Sequence, residues 1–168
     1  MKRSEGTDGR ARLLVVLGDG GHTVEILRLL ELLGSDYAYC YVAAEDDRIS
    51  GQRIAVPGPL FRIRRPRSKG EPWWSATWHL LVSLAQAFRV WRRVRPQALL
   101  GSGPSIMVPV ALAARLHGSK VIFVETGSRV TSLSLTGRIM LRLAHLFFVQ
   151  WQQLQQRYPG TVFAGRLL

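Results

Sequence analysis

The chain has 168 residues, enough for one domain with a buried core and too few for two nucleotide-binding domains of ordinary size. A composition of 47% hydrophobic and 20% charged residues excludes wholesale disorder, and the single cysteine, Cys40, excludes an internal disulfide. The net charge of +12 is unevenly spread: residues 1–47 carry five basic and nine acidic side chains, whereas from Arg48 onward 18 basic side chains meet only Glu71 and Glu125, a cationic surface suited to a phosphate-rich partner.

Residues 1–11 read as a flexible N-terminus, polar and glycine-containing, without the character of a signal sequence. Arg12–Leu17 is a continuous apolar run that ends in glycines, as a strand buried on both faces does. Thr23–Leu33 then repeats apolar residues at helical spacing, with Thr23 as the expected cap and Gly34 as the stop. Tyr37–Ala43 reads as a second strand and Phe61–Arg64 as a third, with Asp46 and Asp47 in a solvated turn between them. After a loop over Arg65–Pro72, the periodicity predicts one long helix over Trp73–Val94. The theme recurs as a strand Gln97–Leu100, a turn Gly101-Ser102-Gly103-Pro104 and a helix capped by Ser105 that runs to about His117. Lys120–Val124, a helix from about Thr136, a strand Leu146–Val149, a helix Trp151–Arg157 and a strand Thr161–Ala164 complete the chain. Such alternation specifies an α/β fold, a single Rossmann-like domain over 12–168 with a parallel sheet covered by helices on both faces.

Ligands of such sheets bind where strands end, so three strand ends are the candidate sites. After the first strand, Gly18, Gly20 and Gly21 let the backbone approach a phosphate at the start of a helix, beside His22 and Thr23. The turn departs from the dinucleotide fingerprint, because Thr23 stands where its third glycine would be, and it lacks the lysine of a P-loop, which argues against a nicotinamide-dependent oxidoreductase. Gly101, Ser102 and Gly103 form a second turn of the same type. After VIFV, Glu125 leads into Ser128 and Arg129, a carboxylate in cationic sequence able to take a proton or bind sugar hydroxyls. His79, His117 and His145 are isolated and read as structural. No Cys/His cluster has metal-ligand spacing, and neither a metal nor a cofactor is expected.

Residues 62–95 hold nine basic side chains and one acid around Trp73, Trp74 and Trp78, with Arg89, Arg92 and Arg93 toward the end of the helix. Tryptophans beside an apolar helix face flanked by arginines suit a membrane surface. Basic residues interleaved with aromatics also suit single-stranded RNA. The clustering of the aromatics at one helix start favours the membrane, so no nucleic-acid partner is expected. No run reaches the roughly 18–20 apolar residues that span a bilayer. The expected location is therefore cytoplasmic, peripheral on a membrane.

The segments GDGGHTVEILRLL, RPQALLGSGPSIMVPVALAARL, VIFVETGSRVTSLSLTG and LFFVQWQQLQQRYPGTVFAGRLL resemble the asparagine-linked glycosylation protein fourteen family, the anchor subunits of a two-subunit UDP-GlcNAc transferase, and their bacterial polysaccharide-biosynthesis counterparts. The resemblance covers about Leu13–Leu168. It implies the acceptor-side, N-terminal half of an inverting GT-B glycosyltransferase divided between two polypeptides, active only with a donor-binding subunit that holds a UDP-sugar. It further implies a polyprenyl-diphosphate-linked sugar as acceptor, recruitment of the partner to the cytoplasmic face of a membrane, and a partner contact through the C-terminal segment, here Phe163, Arg166, Leu167 and Leu168. The membrane-spanning helix that usually begins the eukaryotic subunits is absent from this sequence, which leans toward a bacterial-type system, and Asp19 stands where the family more often has a small hydroxyl residue. Inverting transfer needs a base for the acceptor hydroxyl, and His22 and Glu125 are both candidates. The alternative is a membrane- or RNA-binding module without catalysis.

Overall fold

A computed structural model describes residues 9–18, 20–66 and 73–167, with residues 73–76 described by their backbone alone. Residues 1–8 of the expected flexible terminus, Asp19, Leu168 and the side chains of Trp73 and Trp74 therefore lie outside the described residues.

Seven strands form one parallel sheet: β1 (Arg12–Val16), β2 (Ala38–Ala44), β3 (Leu60–Ile63), β4 (Ala98–Gly101), β5 (Lys120–Val124), β6 (Leu146–Val149) and β7 (Val162–Phe163). Their spatial order is β3-β2-β1-β4-β5-β6-β7. The intervening helices are α1 (Gly21–Leu33), α2 (Trp73–Val94), α3 (Met107–Leu116), α4 (Leu135–Leu143) and α5 (Gln152–Arg157), with a short 3-10 turn at Ser50–Arg53 that the residue pattern does not announce. This is the expected Rossmann-like α/β class.

The apolar run of β1 is buried throughout because its alternating side chains serve two cores. Leu14 and Val16 join Ala87, Val90 and Val94 of α2 and Val110 and Ala114 of α3. Leu13 and Val15 join Ile26 and Leu30 of α1. Right-handed crossovers explain the division, since the chain moves one way across the sheet from β1 to β2 and the other way from β4 onward.

Three local expectations are corrected. The cap of α1 is Gly20, whose φ of +61° belongs to the left-handed region that favours glycine, while Thr23 lies inside the helix. Its hydroxyl donates back to the Gly18 carbonyl. Helix α3 begins one residue beyond Ile106 with no side-chain cap, so Ser105 does not cap it. Asp47 is buried, not solvated: Oδ1 accepts the backbone N–H groups of Ile49 (3.1 Å) and Ser50 (2.9 Å), whereas Asp46 is exposed and pairs with Arg65 at 2.8 Å. An aspartate two residues before a tight turn closes that turn more effectively with its own backbone than with water.

Ile26 is fully buried beneath α1. Ile26→Ala is expected to lower the unfolding free energy by about 2–5 kcal/mol, read as a lower urea midpoint at unchanged slope.

Candidate functional site

Strand order reverses between β1 and β4, so the loops leaving these two strands diverge and leave a crevice at the carboxyl edge of the sheet. Both glycine turns meet there. A methyl group on Gly18 would lie 3.0 Å from the Pro104 side chain, and one on Gly103 would run into the His22 ring. The second turn thus uses glycine to admit the histidine of the first. His22 Nδ1 lies 3.4 Å from the hydroxyl of Ser102, which is itself fully buried. The first turn is braced from β2's side, where the Ser50 hydroxyl donates to the Gly18 carbonyl at 2.7 Å and meets Thr23 Oγ1 at 2.8 Å.

A cleft of about 450 Å³ opens beside this crossing, lined by Gly21, His22, Glu25, Thr126, Gly127, Ser128, Gln150 and Arg166. It draws on the loops after β1, β5 and β6 and on the C-terminal tail. Gly21, His22 and Ser128 are brought together as the strand-end pattern anticipates. Arg129 is exposed and, with Gly101 and Ser102, is not among the residues lining the cleft. Gly20 lines a separate depression of about 340 Å³ with Asp46, Asp47, Arg48, Arg53 and Arg65.

Glu25 is the principal residue the sequence reading passed over. It lies one turn beyond His22 on α1 and is 3% exposed. Its Oε1 accepts the Gly127 N–H at 2.9 Å and the Thr126 hydroxyl at 3.0 Å. The signal available was an acid three residues after the histidine, hence on the same helix face, inside an otherwise apolar stripe. Gln150 is the second such residue. Its amide donates to the Glu125 carbonyl at 3.1 Å and accepts the Leu167 N–H at 2.9 Å, tying β5, β6 and the tail together.

Glu125 itself is fully buried, reaches the start of α4 and is not among the residues lining the cleft. Oε2 accepts the N–H and hydroxyl of Ser134, each at 3.1 Å, and Oε1 accepts the Thr126 N–H at 3.2 Å. Ser134 in turn caps α4 by accepting the Gly137 N–H at 2.9 Å. Burial pushes the Glu125 carboxyl above the ordinary carboxylate range, against the opposing pull of these hydrogen bonds and of Arg129.

The C-terminal tail folds back on the site. The Arg166 guanidinium lies 4.3 Å from the centre of the Trp151 ring, whose indole N–H donates to the Gly127 carbonyl at 2.7 Å. Leu167 closes an apolar cavity of about 320 Å³ with Leu29, Ile122 and Phe148. Phe163, on edge strand β7, is 37% exposed. On the opposite face of the sheet, α2 exposes Trp78 (65%) and Leu81 (55%), together with Arg89, Arg92 and Arg93. Arg92 and Arg93 lie over the rings of Phe88 and Phe61. His117 packs on Trp91 with ring centres 4.0 Å apart, and His145 Nδ1 accepts the Val121 N–H, so both are built into the fold. Among the described residues no helix is long and apolar enough to cross a membrane, and no three His, Cys, Asp or Glu side chains gather as a metal site.

The family model described as "Oligosaccharide biosynthesis protein Alg14 like" matches residues 13–167. Among curated proteins, the chain is 36% identical over 178 residues to the "UDP-N-acetylglucosamine transferase subunit ALG14" of Rattus norvegicus, covering 93% of this chain and 82% of that protein. The Schizosaccharomyces pombe protein of the same description is 32% identical, with 98% and 87% covered. Among solved structures, Acinetobacter baumannii MurG superposes with a TM-score of 0.68 at 18% identity over 94% of this chain. A Methanocaldococcus jannaschii UDP-GlcNAc 2-epimerase, solved in complex with UDP-GlcNAc and UDP, also gives 0.68, at 13% identity over 92%. The chain spans less than half of each of these two, 44% and 46%, and at such identities the likeness concerns the fold.

The environment of Glu125 makes a pH signature. The folded chain holds its proton more tightly than the unfolded chain, so the stabilisation is present below the ordinary carboxylate pKa and is lost as pH rises through the raised value. Urea unfolding from about pH 4 toward neutrality is expected to show this decline, and Glu125→Gln to flatten it.

Proposed function

The chain belongs to the Alg14-like family of oligosaccharide biosynthesis proteins, and from that premise we propose that it is the acceptor-side subunit of a heteromeric, inverting glycosyltransferase. The observation that carries the reading is the cleft beside the strand-order reversal, which is open toward solvent and lined by His22 and Arg166, with the second glycine turn packed against the His22 ring. The donor is a UDP-sugar, in keeping with the description of the relatives as UDP-N-acetylglucosamine transferase subunits, and it is bound by a second polypeptide. The acceptor is a polyprenyl-diphosphate-linked sugar.

In the proposed reaction the acceptor hydroxyl oxygen forms a bond to the anomeric carbon of the donor sugar while the bond from that carbon to the UDP oxygen breaks. The electron pair leaves with UDP, and the hydroxyl proton passes to His22. Of the two candidate bases, the geometry favours His22, because it lines the cleft, whereas the carboxylate of Glu125 is occupied by Ser134 and Thr126. The N–H groups opening α1 at Gly21 supply positive potential for acceptor phosphate or departing diphosphate. Phe163, Arg166, Leu167 and Leu168 form the partner-facing segment, and Arg166 makes it continuous with the cleft.

In this reading helix α2 is the element of the complex that meets a membrane surface. Its exposed Trp78, Leu80, Leu81 and Phe88 seat at the head-group boundary, with Arg89, Arg92 and Arg93 on lipid phosphates. This supports a peripheral position at a membrane; the cytoplasmic face is part of the proposal.

Two outcomes are expected. Co-purified with the donor-binding subunit, His22→Ala lowers transfer to a lipid-diphosphate sugar by about 10²–10⁴-fold at unchanged complex yield, while the isolated wild-type chain is inactive. Activity of the isolated chain, or a fully active His22→Ala complex, overturns the reading. Second, Trp78→Ser with Leu81→Ser reduces co-sedimentation with anionic vesicles without changing the melting temperature; salt-sensitive binding to RNA in preference to vesicles is the opposing result.

A further inference from the structure

Glu25 carries one carboxylate oxygen more than its structural work requires. A glutamate on α1 that served only to hold the loop after β5 needs a single acceptor atom. Oε1 fills that role alone, taking both the Gly127 N–H at 2.9 Å and the Thr126 hydroxyl at 3.0 Å. Oε2 is shielded from bulk solvent and has no hydrogen-bond partner among the described residues, although the side chain is 97% buried by its 3% exposure and borders the cleft beside His22. Buried carboxylate oxygens are ordinarily satisfied, because an unpaired one forfeits its hydration without return. Hydrogen-bond donors are needed to complete it, and the groups a sugar offers are hydroxyls.

We propose that Glu25 is a substrate-binding carboxylate: its Oε2, which carries almost no accessible surface at the cleft wall, is uncovered by a small turn of the side chain and accepts a hydrogen bond from a hydroxyl of the acceptor sugar, orienting that sugar toward His22. The inference rests on the acceptor-side reading above and adds to it a residue that sets specificity for a sugar over a bare phosphate. The surroundings suit the task. Gln150 and Ser128 border the same cleft as further polar groups, and Arg166 supplies the positive charge that a diphosphate would seek. Glu25 contributes the one side chain in this lining that, when ionised, accepts hydrogen bonds without donating any.

The isosteric variant separates the two roles. In Glu25→Gln the amide carbonyl still serves Thr126 and Gly127, so loop and fold are retained, but the free acceptor becomes an NH₂ donor. The probes are N-acetylglucosamine diphosphate esterified to a short isoprenoid and the same isoprenyl diphosphate without sugar, titrated calorimetrically into the full chain. The wild type is expected to bind the sugar-bearing probe about 10–100-fold more tightly than the sugarless one, and Glu25→Gln to bind both alike at an unchanged melting temperature. Equal preference for the sugar in wild type and variant overturns the role of Glu25 while leaving the acceptor-side reading standing. Failure of the wild type to bind either probe overturns both. Should the variant not fold, the wild type alone decides, because the Glu25 carboxyl ¹³C resonance must then shift with the sugar-bearing probe and not with the sugarless one; no difference between the two rejects the proposal.

Discussion

The reversal of strand order between β1 and β4 is the constraint on which the rest of the molecule depends. Parallel strands must be joined by right-handed crossovers, so a chain that winds first one way and then the other places α1 on one face and α2, α3 and α4 on the other. The two cores follow from that division, and so does the gap between the loops that leave β1 and β4. The residues filling the gap are small for a physical reason. Gly103 leaves room for an imidazole, and Gly20 supplies the left-handed turn that starts α1 close beneath it. Fold and site are therefore one geometric solution, in which the crevice is what remains when both faces have been covered.

Two buried carboxylates then organise the carboxyl edge. Glu125 reaches up to the start of α4 and holds Ser134, while Glu25 reaches across from α1 to hold Gly127 and Thr126. Each anchors part of the same β5–α4 connection from a different side, and Thr126 touches both, through its N–H to one and its hydroxyl to the other. A connection of this length without regular structure would be mobile if left to its own backbone. Fixing it with hydrogen-bond-accepting oxygens in a low-dielectric setting gives directional restraints where an apolar contact would only bury area.

Much of this was legible in the sequence because it rests on periodicity and on glycine. The runs RLLVV, KVIFV and LFFV fall within strands, and the Trp73–Val94 helix has the bounds its spacing indicates. The glycine turns mark strand ends correctly. Their mutual packing is not legible, since the meeting of Gly103 with His22 joins residues about eighty positions apart. Helix caps were misassigned at Thr23 and Ser105 because both hydroxyl residues sit where caps are common, yet the backbone of Gly20 and Ile106 sets the actual starts. Glu25 was hidden by ordinariness, for a glutamate in the second turn of a helix is normally solvated. Only the approach of the β5–α4 loop converts it into a buried group. Asp47, expected in a solvated turn, is buried for a related reason, its carboxylate being consumed by the turn it closes.

In a parallel sheet every strand begins at one edge and ends at the other, and the tail after β7 bends over the carboxyl edge, where Arg166 covers Trp151 and Leu167 hydrogen-bonds Gln150. Residues 9–11, which lead into β1, lie by contrast at the amino edge. The described chain therefore enters on one rim of the sheet and leaves across the other, beside the cleft. A dye or tether attached near residues 9–11 starts at the rim away from the cleft, whereas one attached near Leu167 starts beside its mouth.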